Sequence, residues 1–148
     1  MKHLFFGLVF FTVLVFGVEN SPAMNRRIEA LAFGEATLAY RLVALSASLA
    51  IAAATDNDAL LSLLENVEST LSNGKSFLAT QQDKTSFSKE ISGLIDSVLS
   101  CSGDVRSYVQ NKNYGNLQKI RGCIDPLEGK ISDLTERFNK AAPPAPAK

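Results

Sequence analysis

FSKEISGLIDSVLSCSGDVRSY, residues 87–108, carries the pattern that decides the fold. Its apolar side chains recur at alternating intervals of four and three residues, which places them along one face of an α-helix. They are Phe87, Ile91, Leu94, Val98, Cys101, Val105 and Tyr108. The stretch therefore predicts one long amphipathic helix with a single buried face.

Three further segments show the same periodicity. The fourth segment of the chain has Leu117, Ile120, Ile124, Leu127, Ile131, Leu134 and Phe138. The second has Leu60, Leu64, Val67, Leu71, Gly74 and Leu78, and its phase passes through the glycine, which predicts one helix and not two. The first has Ile28, Leu31, Glu35, Leu38, Leu42, Leu45, Leu49 and Ala52. We expect each of these faces to point into a common core.

Short polar breaks separate the four segments, at residues 55–57, 83–86 and 111–115. They are rich in Asp, Asn, Ser and Thr, the residues that cap helix N-termini. Because short connections make neighbouring helices antiparallel, the pattern predicts an all-α, up-down-up-down four-helix bundle. Pro126 lies inside the fourth segment, whose apolar phase continues across it. A kinked helix is therefore expected there, in preference to a restart at Asp125.

The two cysteines support this arrangement independently. Cys101 and Cys123 are equidistant from residue 112, which lies in the third break. Residues equidistant from the turn of an antiparallel hairpin lie opposite each other, so the spacing predicts a disulfide between helices three and four. Closing a loop of that length stabilises the fold by about 3 kcal/mol in the chain-entropy model. A redox switch is the weaker alternative, because no Cys-x-x-Cys motif is present.

The beginning of the chain predicts secretion. Lys2 precedes an almost unbroken apolar run over residues 4–16, and small residues follow it. A run of this length is typical of a signal peptide and is too short to span a bilayer. We expect cleavage after Gly17, with Ala23 as the alternative site.

The predicted domain organisation follows from this cleavage. Residues 1–17 form the signal peptide, residues 18–140 the helical bundle, and residues 141–148 a disordered tail rich in proline and alanine. The mature protein is expected to be extracellular and to have no stable membrane insertion.

Charge and composition exclude several classes of function. Removal of residues 1–17 leaves 14 basic against 15 acidic residues, too neutral for a nucleic-acid-binding protein. The only histidine, His3, is removed with the signal peptide, so the mature chain has no imidazole for catalysis or metal binding. Both cysteines are expected to be oxidised, which removes the thiol nucleophile. The sequence predicts a protein with no enzymatic activity, no metal and no cofactor.

Two sets of residues are candidates for a binding site. Basic and tyrosine side chains near the third break suit a contact with a protein partner. This tip comprises Arg106, Tyr108, Lys112, Tyr114, Lys119 and Arg121. The small residues late in the first helix suit a cavity for an apolar ligand, with a seam carboxylate as its polar handle. That cavity would be lined by Glu35, Leu45, Leu49, Ala52 and Ala53.

These candidates correspond to two functional hypotheses. The favoured one is a secreted, non-enzymatic binding or effector protein that acts through contacts with another extracellular protein. The alternative is an extracellular carrier of a fatty acid or similar small apolar ligand inside the bundle. The first is preferred because a closely packed alanine-rich helix needs no cavity.

Overall fold

The computed structural model describes residues 22–81 and 84–141, which form four helices and no strand. These helices are α1 (Pro22–Ile51), α2 (Asn57–Ala79), α3 (Ser86–Gln110) and α4 (Tyr114–Lys140). The predicted all-α fold is confirmed. The predicted signal peptide and residues 142–148 of the predicted tail lie outside the described residues.

Three of the helices begin at the predicted breaks, because a side-chain oxygen there accepts a hydrogen bond from a free backbone N–H. Asp56 caps α2 by accepting from Ala59 N at 2.9 Å. Thr85 caps α3 by accepting from the amide of Ser88 at 3.0 Å. Asn113 caps α4 in the same way. α2 runs without interruption through Gly74, as predicted.

Contacts between consecutive helices run in opposite sequence directions, as an up-down order requires. Between α2 and α3, Glu68 pairs with Arg106, and Lys75, later in α2, pairs with Asp96, earlier in α3. Each pair joins its N and O atoms at 2.7 Å.

The disulfide between α3 and α4 is confirmed. Cys101 and Cys123 are bonded, with their Cα atoms 5.6 Å apart. Cys101 is completely buried, so the crosslink extends from the core outward to the half-buried Cys123. α4 continues through Pro126 as one helix, and no restart occurs at Asp125.

The predicted apolar faces of α2, α3 and α4 do form the core. All six positions of the α2 pattern are buried. The α3 and α4 patterns are buried along most of their length, and their outermost members, such as Phe87 and Tyr108, are half-buried.

The predicted core face of α1 is only partly correct: Ile28 is buried and Leu42 and Leu49 pack against the core, but the other leucines do not. Leu31, Leu38 and Leu45 are 39%, 51% and 50% exposed. The buried side of α1 is formed mainly by alanine: Ile28, Ala32, Ala36, Ala39, Val43, Ala47 and Ala50. Since each residue turns a helix by about 100°, the exposed leucines lie about a third of a turn from this alanine face.

Close packing explains why the alanine face is the buried one. A Cβ atom on Gly74 of α2 would lie 3.5 Å from the carbonyl oxygen of Ala32 and 3.2 Å from Ile95 Cδ1. Helices approach this closely only where side chains are small. The large side chains of α2 and α3 then fill the core against the α1 alanine face. Leu31, Leu38 and Leu45 of α1 are left outside.

The helices do not share their contacts evenly. α1 packs most extensively on α2 and also on α3, but touches α4 only slightly. α4 packs chiefly on α3. The side of α1 that faces away from α2 and α3 is therefore left without a covering helix along much of its length.

Candidate binding surface

The predicted tip at the third break does not form one surface. Arg106 is engaged by Glu68, with its Nη2 atom 2.7 Å from the carboxylate, and Tyr108 is half-buried against the core. Tyr114 is 73% exposed. Lys119 and Arg121 are exposed, but they are two residues apart in α4 and so point in nearly opposite directions.

Lys112 is also exposed, in the short turn between α3 and α4. This turn is fixed by Asn116, whose side-chain amide donates to the carbonyl oxygen of Asn111 at 2.9 Å. The six tip residues are thus divided between an internal ion pair, the edge of the core and separate parts of the surface.

The residues predicted to line an interior cavity do not meet in the interior of the bundle. Glu35 and Leu49 are half-buried, and Leu45 is half-exposed. Ala52 and Ala53 are exposed in the turn after α1, where Ala53 adopts a left-handed backbone conformation with φ of 50°. The predicted place of Ala52 and Ala53 inside the bundle is therefore wrong, because α1 ends at Ile51 before reaching them. The predicted place of Leu45 is wrong because its side of α1 faces outward.

Two open clefts lie elsewhere on the molecule. One, of about 540 Å³, lies beside the disulfide and is lined by Asp96, Lys130 and Pro126 among others. The second, of about 660 Å³, lies at the start of α1 and includes Arg26 and Glu29. Neither is lined by the residues predicted for a ligand cavity.

The polar groups of the second cleft are bonded within the protein. The Glu29 carboxylate accepts hydrogen bonds from the Thr85 hydroxyl at 2.6 Å and from the Gln81 amide at 3.2 Å. Arg26 donates to the carbonyl oxygens of Phe138 and Ala141 at 2.8 and 2.9 Å. These bonds tie the start of α1 to the α2–α3 connection and to the end of α4, which gives the cluster a structural role.

An exposed apolar band on α1 is the feature that the sequence interpretation did not identify as a surface. Leu31, Leu38 and Leu45 are seven residues apart and define what we call the α1 leucine face. They follow one line for about 21 Å, at 1.5 Å per residue. Leu42 and Leu49 lie beside this line and are partly buried against the core. Leu38, Leu42, Leu45 and Leu49 thus follow one another along α1 as an apolar strip, and Gly34 and Glu35 lie between this strip and Leu31.

α1 itself carries almost no charge along its leucine face. Between residues 30 and 55 the only charged side chains are Glu35 and Arg41. Neither of the two is in an ion pair with any other residue of the described ranges. Gly34 also lies on this side, and a Cβ atom placed on it would meet nothing within 4 Å.

The opposite flank of α1 is the one that meets α4. Burial, together with the negative charges of Glu128 and Asp125, raises the pKa of Tyr40 above its ordinary value. Nearer the start of the helix, the Phe33 ring lies 6.4 Å from that of Phe138. The few contacts between α1 and α4 are thus made on this flank, and the α1 leucine face points away from α4.

Residues 22–81 and 84–141 hold no group of three or more His, Cys, Asp or Glu side chains close enough to bind a metal ion. None of the four helices combines the length and the apolar character that a bilayer-spanning segment needs.

The chain was compared with three sets of known proteins. Comparisons with protein-family models, with curated proteins and with solved structures found no match to the chain.

Proposed function

We propose that this chain is a secreted, non-enzymatic binding protein that docks another extracellular protein on the α1 leucine face. The observation that carries the proposal is the exposure of Leu31, Leu38 and Leu45, at 39%, 51% and 50%. Single exposed leucines are common on protein surfaces, whereas an apolar strip is typical of an interaction site.

The energy available at this strip suits a specific contact. Full burial of a leucine side chain is worth about 1.5–3 kcal/mol, so the three half-exposed leucines together retain about 3 kcal/mol. A partner that covers them would gain this free energy without any change in the fold of the bundle. The flanking charges, Glu35 and Arg41, would give such a contact its polar rim.

Secretion is supported by two independent features. The apolar run over residues 4–16 behind Lys2 has the length of a signal peptide. The Cys101–Cys123 disulfide is the kind of crosslink that persists in an oxidising compartment.

A binding role without enzymatic activity is supported by the histidine, the cysteines and the surface ion pairs. The single histidine, His3, belongs to the predicted signal peptide, and both cysteines are bonded to each other. Charged side chains on α3 and α4, such as Glu90 and Arg137, are engaged in ion pairs on the surface. The carrier hypothesis has less support, because Leu45, Ala52 and Ala53 lie on the surface.

The test compares two sets of leucine substitutions. The combined variant Leu31→Ser, Leu38→Ser and Leu45→Ser removes the apolar strip. Leu99→Ser is the matched control, because Leu99 is also 39% exposed but lies on α3. Immobilised wild-type and variant proteins are incubated with the extracellular fluid into which the protein is secreted, and the retained proteins are quantified by mass spectrometry.

We expect the wild type and Leu99→Ser to retain the same protein, and the triple variant to lose it while its circular dichroism stays helical. Equal retention by the folded triple variant would show that the α1 leucine face is not the binding surface.

A further inference from the structure

We propose that the cleft at the start of α1 binds a small zwitterion with the chemistry of a free α-amino acid. Its ammonium group would meet Glu29 and its carboxylate would meet Arg26. None of the leucines of the α1 leucine face lines this cleft. The inference is therefore independent of the function proposed for that face.

Two opposite charges that do not pair with each other are the first argument. Arg26 and Glu29 both line the cleft, yet no ion pair joins them to each other or to any other described residue. Arg26 reaches the end of α4, where it donates to the carbonyl oxygens of Phe138 and Ala141. Glu29 turns to the α2–α3 connection, where its carboxylate accepts from Thr85. The two charges are thus held toward the two parts of the cleft that Ala141 and Thr85 line.

The Glu29 side of the cleft has more hydrogen-bond acceptors than donors. Glu29 is only 8% exposed, and its hydrogen bonds from Thr85 and Gln81 both go to the same oxygen, Oε1. Gln81 is 4% exposed, and its own Oε1 accepts no hydrogen bond from the described residues. A nearly buried carboxylate without a cation is costly, because it has lost much of its hydration. A primary ammonium group supplies the missing positive charge together with three N–H donors.

The Arg26 side of the cleft suits an anion. A guanidinium has five N–H groups, and Arg26 donates to only two carbonyl oxygens. Its Cζ atom lies 4.3 Å from the centroid of the Phe138 ring, a contact that holds the group in place. The remaining N–H groups are the donors that arginine uses to bind a carboxylate.

The walls of the cleft favour an apolar side chain on the ligand. Pro22, Ala23 and Ala141 line it, and its volume of about 660 Å³ is in the range of small-molecule sites. A diamine would place a second positive charge near Arg26, and a dicarboxylate would place a negative charge near Glu29. An aliphatic amino acid avoids both conflicts and covers the apolar wall.

Three matched probes test the ligand chemistry by isothermal titration calorimetry of the mature, disulfide-bonded protein. L-leucine has both charged groups, N-acetyl-L-leucine lacks the ammonium, and 3-methylbutylamine lacks the carboxylate. We expect L-leucine to bind with a Kd of about 0.1–1 mM, and each of the other two to bind at least about tenfold more weakly. No binding of L-leucine, or equal binding of all three probes, would overturn the proposal.

Two pairs of variants test the position of the site. Glu29→Gln removes the charge and keeps an acceptor for Thr85, so it should weaken L-leucine binding about tenfold. Glu65→Gln, at an exposed carboxylate of α2 with no ion pair among the described residues, is its control and should change nothing. Ala23→Phe fills the cleft from an exposed position and should abolish binding, whereas Ala59→Phe, exposed at the start of α2, should not.

Circular dichroism establishes that each variant is folded. The exposed position of Ala23 keeps the test decisive even if Glu29→Gln disturbs the hydrogen bonds at the α2–α3 connection. Loss of L-leucine binding in folded Ala23→Phe, with binding retained in Ala59→Phe, is the result that the proposal predicts. Undiminished binding by folded Ala23→Phe would place the ligand elsewhere and overturn it.

Discussion

At the scale of single residues, Gly74 shows how closely α1 and the core are packed. A side chain there would meet Ile95 Cδ1 at 3.2 Å and the Ala32 carbonyl oxygen at 3.5 Å. The first neighbour is the end of a flexible side chain, but the second is backbone and cannot move without shifting α1. The position therefore tolerates at most a small side chain, although glycine is a poor helix former.

We predict that Gly74→Leu lowers the free energy of unfolding by about 2–3 kcal/mol through overpacking. The control is Gly103→Ala on α3, where a Cβ atom would meet nothing within 4 Å. This control should raise stability by about 0.5–1 kcal/mol, because alanine favours the helix. Urea denaturation followed by circular dichroism measures both. A Gly74→Leu variant as stable as the wild type would mean that α1 lies farther from α2.

The ion pair between Glu90 and Arg137 predicts a pH dependence. The Arg137 guanidinium donates to the Glu90 carboxylate, with Nη1 3.0 Å from Oε1, and this hydrogen bond lowers the pKa of Glu90 below its ordinary value. A lowered pKa in the folded state means that the carboxylate stabilises the fold at neutral pH. This contribution is lost as the pH falls through the pKa of the folded state.

Glu90→Gln should therefore lower the melting temperature slightly at neutral pH and leave it unchanged at acid pH, below the Glu90 pKa. The effect is small because both side chains are more than a third exposed. Melting curves of wild type and variant at several pH values provide the test. A difference that persists undiminished into acid would assign the loss to packing and not to the ion pair.

At the scale of the helices, three of the four apolar faces could be predicted from the sequence, and the reason is plain. α2, α3 and α4 each have one line of large apolar residues and polar residues elsewhere, so only one face can be buried. α1 has two such lines, one of alanine and one of leucine. Hydrophobicity alone favours burial of the leucine line, whereas the close approach of α2 at Gly74 favours burial of the alanine line. Local sequence does not predict this approach, because Gly74 is about forty positions from the α1 residues that it meets.

The candidate site was predicted less well for the same physical reason. The exposed lysines and tyrosine of the tip are where the sequence placed them, but the pairing of Arg106 with Glu68 joins residues 38 positions apart. Nothing local in the sequence reports such a contact. The spacing of the α1 leucines was recognised in the sequence, but the prediction that they face the core was wrong for Leu31, Leu38 and Leu45.

The orientation of α1 predicts opposite responses at two neighbouring positions. Ala36 is 0% exposed, so Ala36→Leu should overpack the core and cost about 1–3 kcal/mol. Leu38 is 51% exposed, so Leu38→Ala should cost the protein less than about 1 kcal/mol. Leu64→Ala, at a buried position of α2, is the reference for a core leucine and should cost about 2–5 kcal/mol.

Urea denaturation of the three variants at low protein concentration gives these values. If Leu38→Ala were as damaging as Leu64→Ala while Ala36→Leu were harmless, the leucine side of α1 would be the core side after all.

At the scale of the whole molecule, the bundle has two different sides. The ion pairs of the described residues connect α2 with α3 and α3 with α4, or lie within α4, and none involves α1. α1 is held instead by small-residue packing and, at its start, by Arg26 bound to the end of α4. Its outer side is thus apolar and nearly uncharged, which is the character expected of the core of a protein interface.

The most direct test of the orientation of α1 is hydroxyl-radical footprinting of leucine side chains in dilute protein. Dilute protein should show rapid oxidation at the α1 leucine face and protection of the buried leucines of α2, namely Leu60, Leu64 and Leu71. Leu99 on α3, which is as exposed as Leu31, should be oxidised at a similar rate. Protection of the α1 leucines in dilute protein, to the same degree as those of α2, would contradict the account.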